Sequence, residues 1–355
     1  MRTRLAALIV CLTLGLSGVH ARQNQLSVLT SPPFESYLES LRSQAGIPGM
    51  SAALVQDGQI VWERGFGFQN LEARVRATPD TPYPIADISQ TLASVLVLQC
   101  IEERRMSIDE PIRRYSGALP DQAATLRQVL SHTSAGAGES FRYDPERYSQ
   151  LTPVVEQCVP QPYRKTVAAN VLERLAMRDS VPGRDLIDPN VLTEPLFAEA
   201  ILERYHSVLG RIAVPYRVDS KKRATRTELP PEGINAATGL VTTVRDFARF
   251  DAAIDDATLL RTETLEVAWS PDTTDVGTVL PTGLGWFVQT YRGERVVWHF
   301  GLITNGYSSL VVKLPSRHLT FILFANSDGL SSPFQLDSGD VTRSIFATLF
   351  LRLYL

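Results

Sequence analysis

Residues 85–101 read Ile85-Ala86-Asp87-Ile88-Ser89-Gln90-Thr91-Leu92-Ala93-Ser94-Val95-Leu96-Val97-Leu98-Gln99-Cys100-Ile101. From Leu92 onward the run is apolar on nearly every side of a helical wheel, so the helix predicted over 91–104 has no polar face to offer solvent and must be central. The N–H groups of its first turn lack intrahelical partners and lie at the positive end of the helix dipole. Its tip, residues 87–91, is therefore a natural place for a reactive or anion-binding group.

On the N-terminal side, Pro33 opens a helix with Phe34, Leu38 and Leu41 on one face, stopped by glycine and proline at 46–49. Strands over 50–55 and 60–68 flank Asp57-Gly58, a hairpin signal because both residues tolerate positive φ. Towards the C-terminus come strands over 284–290, 295–298, 306–314 and 319–325, then a helix over 341–354. Helical stretches at 125–131, 163–177, 195–205 and 244–254 fill the middle, the last opened by Thr243 with Asp246 three positions on. The pattern predicts an α/β chain whose antiparallel sheet is built from both ends (about 30–85 and 280–355) and carries a mainly helical lobe (about 86–279). The segment 219–235, with Lys221-Lys222-Arg223 and Pro230-Pro231, reads as flexible, its charges as a solvated surface.

The 355 residues are 44% hydrophobic and 21% charged, with 35 basic against 38 acidic residues and a net charge of −3. That composition supports a large folded core and gives no wide positive field, so nucleic acid is not an expected partner. Arg2 and Arg4, the apolar stretch 5–16 and Val19-His20-Ala21 together read as an export leader, residues 1–21, giving a mature chain 22–355 in the periplasm or outside the cell. No later apolar run reaches the ~20 residues of a membrane span. Cys100 and Cys158 are both placed in helices among apolar neighbours, which favours buried thiols, while export permits a bridge. His132, His206, His299 and His318 show no metal-ligand spacing; no metal or cofactor is expected.

A family resemblance rests on Gly65-Phe66-Gly67-Phe68-Gln69-Asn70-Leu71-Glu72-Ala73-Arg74, Thr78-Pro79-Asp80-Thr81, Ile85-Ala86 and the apolar helix. Further matches are Leu130-Ser131-His132-Thr133-Ser134, Gly239-Leu240-Val241-Thr242-Thr243, Trp298-His299-Phe300-Gly301, Gly306-Tyr307-Ser308-Ser309 and Ala325-Asn326-Ser327-Asp328-Gly329. From about Phe34 to its end the chain closely resembles class C β-lactamases and penicillin-binding-protein-like serine hydrolases. The resemblance implies a sheet flanked by helices beside a helical lobe, and a Ser-x-x-Lys tetrad at the tip of the buried helix. Aligned through Ile85-Ala86 and Thr91, the tetrad falls on Asp87-Ile88-Ser89-Gln90, so Asp87 replaces the serine and Gln90 the lysine. None of the four lysines, Lys165, Lys221, Lys222 and Lys313, has a serine three residues before it. The second motif, Tyr-x-Asn, falls on Tyr143-Asp144-Pro145, keeping the tyrosine and losing the carboxamide. The third falls on His299-Phe300-Gly301, and the resemblance places the N–H groups of Asp87 and Leu302 in an oxyanion hole.

Loss of the nucleophile costs on the order of 10⁶ in turnover. A carboxylate ~4 Å from a developing oxyanion adds about 4 kcal/mol of repulsion at an effective dielectric of ~20. Asp87 is read first as a helix cap in a retired site, then as a carboxylate that binds cationic groups, then as a catalytic acid, base or nucleophile. Ser89, rotated about 200° around the helix from Asp87, is read as structural, as is His132. Trp286 and Trp298 are assigned to the core. The expectation is an exported pseudoenzyme that binds a small molecule, peptide or protein partner through Asp87, Gln90, Tyr143, His299, Gly301 and Leu302. The alternative is a residual or repurposed hydrolase of ester, amide or cell-wall-related substrates.

Overall fold

The computed structural model describes residues 32–115, 123–136, 138, 140–192, 195–274 and 277–355; the leader read over 1–21 lies outside them. Helix α1 (Pro32–Ala45) leads into strands β1 (Gly49–Gln56) and β2 (Gln59–Asn70). Asp57 and Gly58 between them both take positive φ, 51° and 74°, as the hairpin reading required. β3 (Val75–Arg76) follows; the short strands β4 (Tyr83–Pro84), β5 (Val181–Pro182), β6 (Tyr216–Val218), β7 (Ala224–Arg226) and β8 (Leu240–Thr242) lie outside this sheet, which is completed by β9 (Phe287–Tyr291), β10 (Glu294–Ile303), β11 (Tyr307–Leu314) and β12 (Leu319–Ala325). Its order is β3-β2-β1-β12-β11-β10-β9, so the two ends of the chain meet at its centre, where β1 pairs antiparallel with β12 from Met50↔Ala325 to Gln56↔Leu319.

Both faces of this sheet are covered, which is why its central strands are largely apolar and buried along nearly their whole length. On one face Met50, Ala52 and Leu54 of β1 and Leu319, Phe321 and Leu323 of β12 pack with Phe34 and Leu38 of α1 and with the closing helix, Ile345–Tyr354. On the other, Ala53, Val55, Ile322 and Phe324 meet the central helix α2 (Ser89–Glu102) and the helix Val244–Asp255. Every residue of α2 from Ser89 to Leu98 is buried, as an apolar wheel demands. Lys313 is the exception to the apolar alternation. It faces Val244–Asp255, where its ammonium lies 3.0 Å from Asp251 and 2.6 Å from Asp255.

The structure shifts several boundaries. The helix expected over 195–205 spans Glu199–Leu209, and that expected over 163–177 is helical to Val167 and continues as a π-turn, Ala168–Glu173. The closing helix starts at Ile345 after a 3₁₀ turn. The segment read as flexible contains the strand Ala224–Arg226, paired with Tyr216–Val218, while Lys221, Lys222 and Arg223 are exposed at its turn.

The cysteine expectation is corrected outright. Cys100 and Cys158 form a disulfide with a Cα separation of 6.3 Å. Both cysteines are in helices as expected, but the helix Leu151–Cys158 ends beside the last turn of α2 and brings the sulfurs together. The bridge closes a loop with a sequence separation of 58, and reduction or Cys100→Ser is expected to cost about 2–4 kcal/mol. Urea titrations with and without reductant measure it; coincident curves would refute a stabilising bridge.

Candidate functional site

Ala86 takes φ +50° at the start of a 3₁₀ turn, Ala86–Ile88, that delivers the chain into α2 and leaves Asp87 buried at its tip. Strand β10 runs directly across this turn. A side chain on Gly301 would place a Cβ 2.2 Å from the carbonyl oxygen of Ile85 and 2.4 Å from Ser309 Oγ, so only glycine lets the strand approach. That approach aims the Leu302 N–H at the Asp87 carboxylate, Oδ2 accepting at 3.0 Å. The Tyr143 hydroxyl lies beside the same carboxylate. One of the two N–H groups that the resemblance assigned to an oxyanion hole, that of Leu302, thus meets an acidic side chain of the same chain.

Gln90, one helical turn on, is fully buried. Its Nε2 lies 3.1 Å from the Tyr143 hydroxyl and its Oε1 3.0 Å from His132 Nε2. Tyr143 is wedged between Phe287 and Phe300, with ring centroids 5.6 and 5.2 Å away. The departure at Pro145 has a local cause: Asp144 caps the helix Pro145–Ser149, Oδ1 accepting from the Arg147 N–H at 3.0 Å, with proline at its first position. Where the motif would carry a carboxamide, this chain starts a helix.

His299 lies on the same face of β10 as Gly301 but deeper, in an enclosed cavity shared with Ile88, Thr91, Trp269 and Lys313. Its Nδ1 is 2.7 Å from the Phe300 carbonyl oxygen, and its ring meets that of Tyr143 edge-on at 6.5 Å. The structure therefore brings Asp87, Gln90, Tyr143 and Leu302 together as a cluster, with hydrogen bonds from Leu302 to Asp87 and from Gln90 to Tyr143, and leaves the His299 side chain beside it. Ser89 faces away, its Oγ accepting from the Leu240 N–H at 3.2 Å. Trp298 and Trp286 are buried in the two cores.

Burial is the main cause that lifts the Asp87 carboxyl from 3.8 to about 7; the N–H groups of Leu302 and Asp87 oppose it, and the negative charge of Glu232 adds to it. Burial lowers His132 to about 3 and His299 to about 4, so both rings are neutral at physiological pH. Tyr143 is pushed well above its usual range by burial and by the Asp87 charge. Two members of this environment escaped the sequence reading. His132 was visible only as part of Leu130-Ser131-His132-Thr133-Ser134, which reads as a helix end, and the 145 residues separating Asp87 from Glu232 carry no signal of their proximity.

Among the described residues no group of three or more His, Cys, Asp or Glu side chains could hold a metal ion, and no helix is long and apolar enough to cross a membrane. The family model described as Beta-lactamase matches residues 34–341. Among curated proteins, Protein flp of Staphylococcus aureus (strain MW2) is 20% identical over 333 residues, covering 82% of this chain and 62% of that protein. The mitochondrial serine beta-lactamase-like protein LACTB of Bos taurus is 30% identical over 104 residues, 27% of this chain and 19% of that one. The chain thus spans less than two thirds of the length of these relatives. Solved structures with the same fold include the octameric penicillin-binding protein homologue from Pyrococcus abyssi (TM-score 0.71, 20% identity, 90% of this chain and 77% of that one). The D-amino acid amidase from Ochrobactrum anthropi SV3 is another (TM-score 0.67, 19% identity, 93% and 99%).

Proposed function

The chain belongs to the Beta-lactamase family, and from that premise we propose that it is an exported, non-hydrolytic member whose cleft holds a ligand or partner instead of acylating a substrate. One observation carries this reading: the Asp87 carboxylate accepts the Leu302 N–H at 3.0 Å. Catalysis of acyl transfer needs those N–H donors directed at a developing oxyanion. Here the Leu302 donor is occupied by the Asp87 carboxyl, which offers no serine-type nucleophile and, when ionised, repels the same charge. Gln90 cannot replace a lysine as proton carrier because an amide does not titrate. The Cys100–Cys158 disulfide supports export, since such bridges persist in oxidising compartments.

Incubation of the oxidised protein with a fluorescent penicillin and with a fluorophosphonate, followed by intact mass, tests the reading. No adduct is expected; a stoichiometric adduct overturns it. Asp87→Ser combined with Gln90→Lys restores the tetrad and is expected to restore labelling, provided the double variant retains the parent circular dichroism spectrum.

A second reading has its own support. A carboxyl with a pKa of about 7 is well placed to act as a general base on water or on a substrate hydroxyl. It predicts hydrolysis of chromogenic esters that rises through pH ~7 and disappears in Asp87→Ala, without any covalent adduct.

A further inference from the structure

Three hydrogen bonds join Asp144, His132, Gln90 and Tyr143, whose hydroxyl neighbours Asp87, and one of them has a fixed direction. The backbone N–H of Asp144 can only donate, and it meets His132 Nδ1 at 3.1 Å. A neutral imidazole that accepts at Nδ1 carries its proton at Nε2. That proton faces Gln90, which must answer with its oxygen, 3.0 Å away. The Gln90 NH₂ is then turned to the Tyr143 oxygen at 3.1 Å, and since it donates there, the phenolic proton is left for the remaining neighbour, Asp87. We propose that His132 is a positioning residue: by fixing the Gln90 amide it commits the Tyr143 proton to Asp87 and holds that carboxylate against the Leu302 N–H.

The ring is built for that task. His132 is 5% exposed, sits at φ +55°, and lies between Tyr148, stacked at 5.0 Å, and Tyr143 at 4.6 Å. Those contacts leave the ring one orientation, and the low pKa that burial gives it keeps Nδ1 free to accept. The charged or titratable groups acting on the pair are Glu232 and Tyr143 at Asp87 and His299 at His132. The inference deepens the closed-niche reading but is tested on a different quantity, the protonation of Asp87 rather than acylation, so each can fail alone.

The test follows Asp87 by carbon NMR titration of its carboxyl in the full chain, with Asp87→Asn used to assign the resonance. In His132→Phe, which keeps the stacked ring and loses both nitrogens, the amide is free to turn its oxygen to Tyr143. The phenol then donates to Gln90, Asp87 loses a donor, and its pKa is expected to rise by about one unit or more. His132→Gln, which can present an N–H near the Nε2 position, is expected to restore most of the parent value. A purely structural histidine predicts the opposite pattern: both variants lose stability in urea while the Asp87 titration stays put. An unchanged Asp87 pKa in a folded His132→Phe protein, or equal shifts in the two variants, overturns the proposal.

Discussion

Asp87→Asn is expected to stabilise the protein by about 4 kcal/mol above neutral pH and to leave it nearly unchanged below about pH 4. The sign follows from the direction of the shift. Burial raises the folded-state pKa from 3.8 to about 7, so the native protein holds its proton where the unfolded chain has already released it. Stability contributed by the neutral carboxyl is complete below the unfolded value and is lost as pH rises through about 7. Asparagine keeps an oxygen for the Leu302 N–H and has no charge to desolvate. Urea unfolding of both proteins at pH 5 and pH 8 measures the difference, expected to widen by roughly 2–3 kcal/mol between the two. A pH-independent difference would mean that Asp87 titrates as an ordinary surface carboxylate and that the niche is open to water. Stability and the niche are thus in tension: the group that closes the site weakens the fold at neutral pH.

Lys313→Met is expected to destabilise the protein by about 3–5 kcal/mol. Lys313 and Asp251 are 4% and 3% exposed, and the same ammonium serves Asp255. Removing it leaves two carboxylates in the contact between β11 and Val244–Asp255 with no cation. Burial already raises the Asp251 pKa against the pull of Lys313, so the variant should recover part of its deficit in acid, where its carboxyls protonate. Adding Asp251→Leu is expected to return much of the loss, because an apolar replacement of a buried pair is often neutral. A Lys313→Met protein with the parent midpoint in urea would show that the ammonium is not needed to balance these carboxylates.

The sequence disclosed the fold at the level of elements because the two faces of the sheet and the all-apolar wheel of α2 leave strong periodic signals. It failed where local signals are weak. The helical setting of Cys158 was legible, but nothing local shows that Leu151–Cys158 ends beside the last turn of α2, so the cysteines could not be paired. Glu199–Leu209 was placed four residues early because Pro195 resembles a helix opener, whereas Ala198 is the actual cap position. At the site, the family resemblance pointed to Asp87, Gln90 and Tyr143, but the direction of the hydrogen bonds around them depends on His132 and on a single backbone N–H of Asp144. Neither has a signature in one dimension, and His299, prominent in the motif, turned out to belong to the cavity beside the cluster.

The seam between β1 and β12 has a consequence for how the molecule comes into being. Met50 waits for Ala325, so the hairpin of β1 and β2 presents a bare edge until β12 has been synthesised. Assembly of so non-local a sheet is slow, and for that interval the β1 edge has no partner strand.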